Sequence, residues 1–122
     1  MLQGVGRTLL IVDDHDEFRD FARVLFGFEG FEVAGEAPDG ASALGAVAEL
    51  HPDVVLLDVQ LPDIDGIEVA RRLADLPDAP EVVLMSTRDA SDYGHRLLEA
   101  TARGFIPKQD LSPAALSALL AA

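Results

Sequence analysis

Three aspartates that directly follow apolar runs are the residues of this sequence best suited to chemistry. Asp13 and Asp14 follow the run LLIV at 9–12, and Asp58 follows VVLL at 54–57. If these runs are neighbouring strands, three like charges converge, and at least one carboxyl pKa must rise unless a cation offsets them. Magnesium fits better than calcium, which usually takes more protein oxygens. The spacing therefore predicts a magnesium site.

A serine and a lysine hold comparable positions later in the chain. Ser86 and Lys108 each follow a further short apolar segment. A carboxylate, a metal, an ammonium group and a hydroxyl together suit phosphoryl transfer. Asp58 is the predicted nucleophile, because it lies centrally, with the acidic pair on one side and Ser86 on the other. Asp13 and Asp14 then serve the metal.

Apolar runs without polar interruption predict strands that are covered on both faces of a parallel sheet. The clearest candidates are 9–12, 54–57 and 82–85, and weaker ones are 31–37 and 104–107. Pro107 cannot donate a ladder hydrogen bond, so we expect the last strand at an edge of the sheet.

The segments between the strands have the longer apolar period of helices. Five helices are predicted. Their apolar positions are Phe18, Phe21, Ala22, Leu25 and Phe28 in the first, Ala41, Leu44, Val47 and Ala48 in the second, Val69, Leu73 and Leu76 in the third, Tyr93, Leu97 and Ala100 in the fourth, and Leu116, Leu119 and Leu120 in the fifth.

Local signals mark several helix ends. Gly30 is expected to end the first helix, Gly94 weakens the fourth, and Ser112-Pro113 begins the fifth as N-cap and first helical residue. Asp16-Glu17 falls in the first turn of the first helix, where acidic side chains favour the dipole. We therefore leave this acidic pair out of the site.

Five βα units within 122 residues favour an open α/β sheet. A closed barrel needs eight units and about twice the length. The predicted fold is a single flavodoxin-like (βα)5 domain over residues 1–122, a doubly wound parallel sheet in strand order 2-1-3-4-5. Ligands of such sheets bind beyond the carboxyl ends of the strands, at the switch point between strands one and three. That is where the three aspartates are expected.

Composition and charge narrow the possible partners. With 22 acidic and nine basic residues the formal net charge is −13, so the domain itself is expected to bind neither nucleic acid nor anionic lipid. There is no cysteine, which excludes disulfides and thiolate metal sites. Residues 1–12 lack the features of a signal peptide, and no stretch reaches membrane-spanning length. We expect a cytoplasmic domain.

Each candidate residue also has an ordinary structural explanation. Asp58 can be a turn residue, and the pair Asp13 and Asp14 can cap the helix that follows. Ser86 can be a plain loop residue and Lys108 a solvated surface charge. The functional interpretation depends on convergence, because all five residues fall at the carboxyl ends of four different predicted strands.

Three segments resemble the motifs of response-regulator receiver domains of bacterial two-component systems. They are IVDDH at 11–15, LLDVQLPD at 56–63 followed by Gly66, and GFIPK at 104–108. The likeness extends over nearly the whole chain. It looks closest to the branch that carries a LuxR-like helix-turn-helix, and no such effector domain follows Ala122. An excised receiver and a free-standing one both remain open.

The resemblance implies a set of metal ligands. Asp14 and Asp58 correspond to direct magnesium ligands, and Asp13 to a ligand that acts mostly through water. The backbone carbonyl of Gln60 corresponds to a further ligand.

The resemblance also implies the reaction and its partner. A sensor histidine kinase supplies the phosphoryl group, Asp58 accepts it, and Lys108 pairs with it, so the domain phosphorylates itself and is not a turnover enzyme. Ser86 corresponds to the switch hydroxyl and Phe105 to the switch aromatic, although Phe105 could be an ordinary core residue. The expected output face, formed by helix four, strand five and helix five, suits a homodimer. Transcription would be controlled through an absent or separate DNA-binding domain.

Two other classes remain open. A phosphatase of the haloacid-dehalogenase type also forms an aspartyl phosphate. Asp14-His15-Asp16 superficially matches the Asp-x-Asp motif of that class. The chain lacks the following Thr or Val and the length of a cap-bearing hydrolase. A phosphorylation-independent interaction domain with the receiver fold would be expected to have lost a pocket residue, and none is lost.

Overall fold

Five apolar strands form one parallel sheet in the computed structural model of this protein, which describes residues 7–28 and 30–121. The strands are β1 (Arg7–Val12), β2 (Phe31–Ala37), β3 (Val54–Asp58), β4 (Glu81–Ser86) and β5 (Gly104–Pro107). Their order, β2-β1-β3-β4-β5, confirms the predicted topology and leaves β5 with Pro107 at an edge. The described residues do not include residues 1–6 or Ala122. Residues 1–6 are the first half of the segment 1–12, in which no signal peptide is expected.

Helices connect the strands and cover both faces of the sheet. They are α1 (Asp16–Gly27), α2 (Gly40–Leu50), α3 (Gly66–Ala74), α4 (His95–Glu99) and α5 (Pro113–Ala121). Side chains of α2 and α3 pack on one face, and those of α1 and α5 pack on the other. Successive strand residues point to opposite faces, so Leu10 and Leu57 join the first cluster while Ile11 and Leu56 join the second. Both faces are apolar for this reason.

The buried face of α1 is narrower than the apolar pattern predicts. Ala22 and Phe26 are fully buried, whereas Phe21 and Phe28 are 56% and 81% exposed. The helix ends at Gly27, so Phe28 lies beyond it as the C-cap. The prediction that Phe21 and Phe28 share the buried face was therefore wrong.

Of the two glycines expected to affect helices, Gly94 interrupts the fourth helix as predicted, whereas Gly30 lies beyond the end of the first. α1 has already ended before Gly30, which takes φ 90° in the turn to β2. The fourth helix is divided: Ala90–Asp92 form a 3-10 turn, Gly94 takes φ 57°, and α4 begins only at His95. Tyr93 thus lies in the link between the two pieces and not within a helix.

Gly66 lies where the start of α3 closely approaches the end of β3. Its N–H donates to the carbonyl oxygen of Val59 at 2.8 Å. A Cβ at this position would lie 2.2 Å from the carbonyl oxygen of Asp58 and 2.7 Å from Cα of Val59. These are backbone atoms, which cannot turn aside as the end of a flexible side chain can. Only glycine fits here without moving the strand end that carries Asp58.

The Gly66→Ala variant is therefore expected to have a free energy of unfolding lower by about 1–3 kcal/mol, the usual cost of overpacking. Denaturant unfolding measures it. Gly45→Ala is the matched control, because a Cβ on Gly45 in α2 would meet nothing within 4 Å. Equal stability of the two variants would contradict the close approach.

Candidate functional site

The carboxyl ends of four strands bring polar side chains to one edge of the sheet. Asp13 follows β1, Asp58 ends β3, Ser86 ends β4 and Lys108 follows β5. Asp13 and Ser86 are fully buried, Asp58 is 3% exposed, and the Lys108 side chain is 12% exposed. Burial of this kind is unusual for charged groups unless they are paired. The ordinary explanation of Lys108 as a solvated surface charge is therefore wrong.

Lys108 connects the two buried carboxylates. Its Nζ donates a hydrogen bond to Oδ2 of Asp13 and another, at 3.2 Å, to Oδ2 of Asp58. The same Nζ lies 4.4 Å from the centroid of the Phe18 ring on α1, within cation–π range. One ammonium group, covered by an aromatic ring, thus forms hydrogen bonds with two carboxylates.

The pKa values of the two acids shift in opposite directions. Burial raises the pKa of Asp58 to about 6, against the hydrogen bond from Gln60 N–H at 3.0 Å and the charge of Lys108. Burial also opposes ionisation of Asp13, but hydrogen bonds from Lys108 and from His15 N–H hold its pKa below the ordinary value. The hydrogen bond from Lys108 thus favours the ionised form of Asp13, whereas burial favours the protonated form of Asp58.

Asp14 lies on the solvent side of the same edge. Its side chain is 36% exposed, and its Oδ1 lies 3.0 Å from Nδ1 of His15, which is 3.1 Å from Oδ1 of Asp13. Ligand atoms of these three residues lie within 4.8 Å of one another. His15 itself is the N-cap of α1 and makes no side-chain capping bond. Neither aspartate caps the helix, so the capping explanation for the pair was wrong.

His15 was not among the predicted site residues. Its position next to the acidic pair was the only available signal, and its side chain is 71% exposed. Its contacts with Asp13 and Asp14 nevertheless place it at the rim of the acid cluster.

The donor set fits a hard divalent cation. Three carboxylates, those of Asp13, Asp14 and Asp58, face one ammonium group, that of Lys108, which leaves two negative charges without a counter-ion. All of the carboxylate donors are oxygen atoms, the ligands that magnesium prefers. Burial first, and then the charge of Asp13, raise the pKa of Asp58, and a bound cation would oppose this rise.

Ser86 takes part in a second polar network on the α4 side. Its Oγ lies 2.6 Å from the hydroxyl oxygen of Tyr93 and accepts Arg88 N–H at 3.0 Å. The Tyr93 ring is tilted by 59° against the ring of Phe105, with 6.1 Å between centroids. Phe105 is partly buried at the border of the apolar cluster under α2 and α3. The helical periodicity gave no indication of the Tyr93 contact with Ser86.

Residues 9–121 match the family model described as the response regulator receiver domain. The chain belongs to this family. The receiver motifs and the flavodoxin-like fold read from the sequence are thereby confirmed.

Individual relatives agree with this assignment of the receiver domain. Response regulator GacA of Pseudomonas aeruginosa is 39% identical over 101 residues, which are 82% of this chain and 47% of GacA. The signal receiver domain of NarL from Mycobacterium tuberculosis is 29% identical with a TM-score of 0.85, over 97% of this chain and 99% of that one. A LuxR-family two-component response regulator from Aurantimonas is 31% identical with a TM-score of 0.82, over 93% and 84%. The receiver chain spans about half the length of the curated relatives it matches.

The phosphatase alternative has no support in the receiver site. Asp16, the second acid of Asp14-His15-Asp16, has a side chain that is 86% exposed and is paired with Arg19. It therefore lies in the first turn of α1, as predicted, and not in the acid cluster.

Within residues 7–28 and 30–121, no helix has both the length and the apolar composition needed to cross a bilayer.

Proposed function

We propose that this receiver domain accepts a phosphoryl group on Asp58 from a sensor histidine kinase, with magnesium bound at the acid cluster. One observation carries the proposal: Asp58 is nearly buried, close to Asp13, and hydrogen-bonded to Lys108 at 3.2 Å. A buried carboxylate beside an ammonium and further acids is the arrangement that an aspartyl phosphate requires. The family match supports the same function.

In the proposed reaction a carboxylate oxygen of Asp58 forms a bond to phosphorus, and the bond from phosphorus to the kinase imidazole breaks. The Gln60 N–H, which donates to Oδ1 of Asp58 at 3.0 Å, fixes the rotation of the carboxylate. Lys108 turns its ammonium from the acids to the phosphoryl oxygens and offsets their charge. Solvent supplies the proton that the imidazole gains.

Asp13, Asp14, Asp58 and the Gln60 carbonyl are the proposed magnesium ligands. When bound, the ion supplies positive charge to the acids and to the phosphoryl oxygens. The Gln60 carbonyl accepts no hydrogen bond from the described residues and is free to bind a ligand. Gly66 supports this arrangement, since its contact with Asp58 and Val59 holds the strand end in place.

After phosphorylation Ser86 and Phe105 are proposed to act as the switch. Ser86 ends the strand next to β3, where its hydroxyl can donate to a phosphoryl oxygen. Phe105, on β5, then turns into the space that Ser86 leaves and repacks the surface around α4.

Intact-mass spectrometry after incubation with acetyl phosphate tests the function. We expect one phosphoryl group per molecule in the presence of magnesium and none when a chelator is added. Neutral hydroxylamine should remove the label, because an acyl phosphate reacts with it and a phosphoserine does not. Labelling that resists hydroxylamine, or continuous release of phosphate without a labelled protein, would contradict the proposal.

The proposed setting of the domain is cytoplasmic. Its output is proposed to be control of transcription through a DNA-binding domain, because relatives such as BvgA of Bordetella pertussis are described as transcription regulators. The receiver itself, in a chain of net charge −13, is proposed not to bind nucleic acid.

A homodimer through α4, β5 and α5 is also proposed. The position of the switch residue Phe105 on β5, adjacent to the α4 link through Tyr93, supports it. Sedimentation velocity with magnesium and beryllofluoride, a phosphoryl mimic, should show conversion from monomer to dimer. Unaltered sedimentation with the mimic bound would count against this interface.

A further inference from the structure

The geometry points to Tyr93 as a positioning residue that engages the switch hydroxyl of Ser86 before phosphorylation and must release it afterwards. This inference rests on the proposed phosphoacceptor function. The two hydroxyl oxygens lie 2.6 Å apart, within the normal range of an O–H···O hydrogen bond, and Ser86 is fully buried. Tyr93 would thereby couple the acceptor site to the α4 segment.

The hydrogen bonds of the described residues place Ser86 and Asp58 in separate networks. Asp58 bonds with Lys108 and Gln60 N–H. Ser86 Oγ bonds with Tyr93 and with Arg88 N–H. Before phosphorylation, therefore, the switch hydroxyl is held on the α4 side of the site.

A serine hydroxyl has a single proton to donate. A hydroxyl that gives this proton to a phosphoryl oxygen cannot give it to Tyr93. If Tyr93 is instead the donor, rotation of Ser86 towards the acceptor still carries Oγ away from the phenol. In both cases engagement of the phosphoryl group by Ser86 removes a contact that Tyr93 makes in the unphosphorylated domain.

The ring of Tyr93 connects the loss of the Ser86 contact to the second proposed switch residue, Phe105. It lies against Phe105 with 6.1 Å between centroids, while its hydroxyl contacts Ser86, so Tyr93 touches both residues. Movement of Tyr93 alters the packing available to Phe105. The two proposed switch residues are thus connected through one phenol.

The backbone around Tyr93 is suited to move. Tyr93 is the C-cap of the 3-10 turn Ala90–Asp92 and precedes Gly94, whose φ is 57°. The helix that follows, α4, has only five residues, too short to be stable by itself. Its Arg96 forms an exposed ion pair with Asp65, which adds little stability. The hydroxyl contact of Tyr93 restrains this segment together with the packing of Tyr93 and Leu97 on the apolar core.

Tyr93 is the single tyrosine of the chain, so labelling with 3-fluorotyrosine gives one protein fluorine signal. We expect magnesium and beryllofluoride to shift this signal. In Ser86→Ala the signal of the free protein should already differ from that of the parent, and beryllofluoride should add less than half of the parental shift. Ser86→Thr, which keeps a hydroxyl, should retain the parental response.

The fluorine signals of bound beryllofluoride report occupancy independently. Without bound beryllofluoride, the proposed function fails and the inference with it. With beryllofluoride bound and the tyrosine signal unmoved, the inference alone is overturned. An equal shift in Ser86→Ala also overturns it, because Tyr93 would then respond by another route.

A double-mutant cycle tests the coupling energy. Tyr93→Phe keeps the ring and removes the hydroxyl, so Ser86 no longer has this bond to break. Beryllofluoride affinity is expected to rise about twofold to tenfold, which corresponds to the usual net contribution of one hydrogen bond. In the Ser86→Ala background the same substitution should change the affinity by less than about twofold, because the coupled partner is absent.

Two outcomes of the cycle contradict the inference. One is an unchanged or lower beryllofluoride affinity in Tyr93→Phe. The other is an equal gain in both backgrounds, which would show a general packing effect of the phenol. Unfolding measured for each variant shows whether the fold is retained.

Discussion

The Asp58→Asn variant is expected to lose phosphoryl labelling completely while its metal-free fold becomes more stable. Asparagine has the shape of aspartate but offers no carboxylate oxygen as a nucleophile. After incubation with acetyl phosphate and magnesium, intact-mass spectrometry should show only unmodified protein. A simple folding defect would also abolish labelling, but it would lower stability, so the two readouts together exclude that explanation.

The gain in stability follows from the raised pKa of Asp58. Its carboxyl has a pKa of about 6 in the folded protein against 3.8 ordinarily, so the folded state binds the proton more tightly than the unfolded state does. The stability linked to this group is complete below pH 3.8 and is lost as the pH rises through about 6. At neutral pH the ionised carboxylate lowers the free energy of unfolding by about 3 kcal/mol, since the pKa rises from 3.8 to about 6 and each pKa unit corresponds to about 1.4 kcal/mol.

Urea unfolding in a chelator, at pH 7 and again near the ordinary pKa of 3.8, measures this difference. The free energy of unfolding of Asp58→Asn should exceed that of the parent at neutral pH and nearly equal it at the acidic pH. Asp78→Asn is the matched control, because Asp78 is exposed and lies outside the acid cluster. It should be labelled like the parent and have the same stability. Labelling of Asp58→Asn would place the acceptor elsewhere, and lower stability at neutral pH would contradict the electrostatic account.

The sheet and its active edge were predictable because they depend on local patterns. Uninterrupted runs such as 54–57 predict strands buried on both faces. The number of βα units favours an open doubly wound sheet over a closed barrel. Parallel strands align their carboxyl ends, so Asp13, Asp58 and Lys108 were expected at the same edge of the sheet once the order was known. The prediction of the edge did not require any side-chain contact to be known.

The remaining features depend on contacts that have no local signature. The hydrogen bond between Ser86 and Tyr93 is an example: Gly94 was expected to weaken the fourth helix, but nothing in the periodicity indicated that Tyr93, in the turn before it, contacts Ser86. The exposure of Phe28 arises because α1 ends one residue earlier, at Gly27. A single apolar period cannot show where a helix ends or which neighbouring group a hydroxyl will find.

The unequal sharing of Lys108 between two acids likewise could not be foreseen. The sequence predicted that one cation and three carboxylates share an edge, but only the structure shows that a hydrogen bond from Lys108 lowers the pKa of Asp13 while burial raises that of Asp58. The lowered pKa favours the ionised form of Asp13, which the proposed magnesium site needs, whereas burial favours the protonated form of Asp58 in the absence of a cation.

Replacement of Lys108 by methionine is expected to be the most destabilising change at this site. Methionine keeps an unbranched side chain beside Phe18 but leaves Asp13 and Asp58 buried without a cation. Removal of one partner of a buried ion pair costs about 3–5 kcal/mol. We expect a fall of about that size in the free energy of unfolding, measured by urea at pH 7 in a chelator.

The pH dependence of Lys108→Met should identify the cause of the loss. In the parent, the lowered pKa of Asp13 adds stability above the ordinary pKa of 3.8, which is lost as the pH falls through the lower folded value. Without the ammonium, burial is the main influence on the pKa of both carboxyl groups and favours their protonated forms. The difference in free energy of unfolding between the variant and the parent should therefore shrink as the pH falls. Excess magnesium at pH 7 should also recover part of the stability, because the ion binds only the folded acid cluster. A deficit that is the same at every pH would indicate lost packing against Phe18 instead.

Labelling gives Lys108→Met a second readout that is independent of stability. Loss of one preorganised charge from a phosphoryl-transfer site slows the reaction by about 100-fold or more. The time course of labelling by acetyl phosphate, followed by intact mass below the unfolding transition, measures this rate. Lys108→Arg keeps the cation on a bulkier head and should retain most of the stability with a smaller loss of rate. If Lys108→Met were labelled as fast as the parent, the ammonium would serve only to hold Asp13 and Asp58 together, and its proposed part in phosphoryl transfer would be wrong.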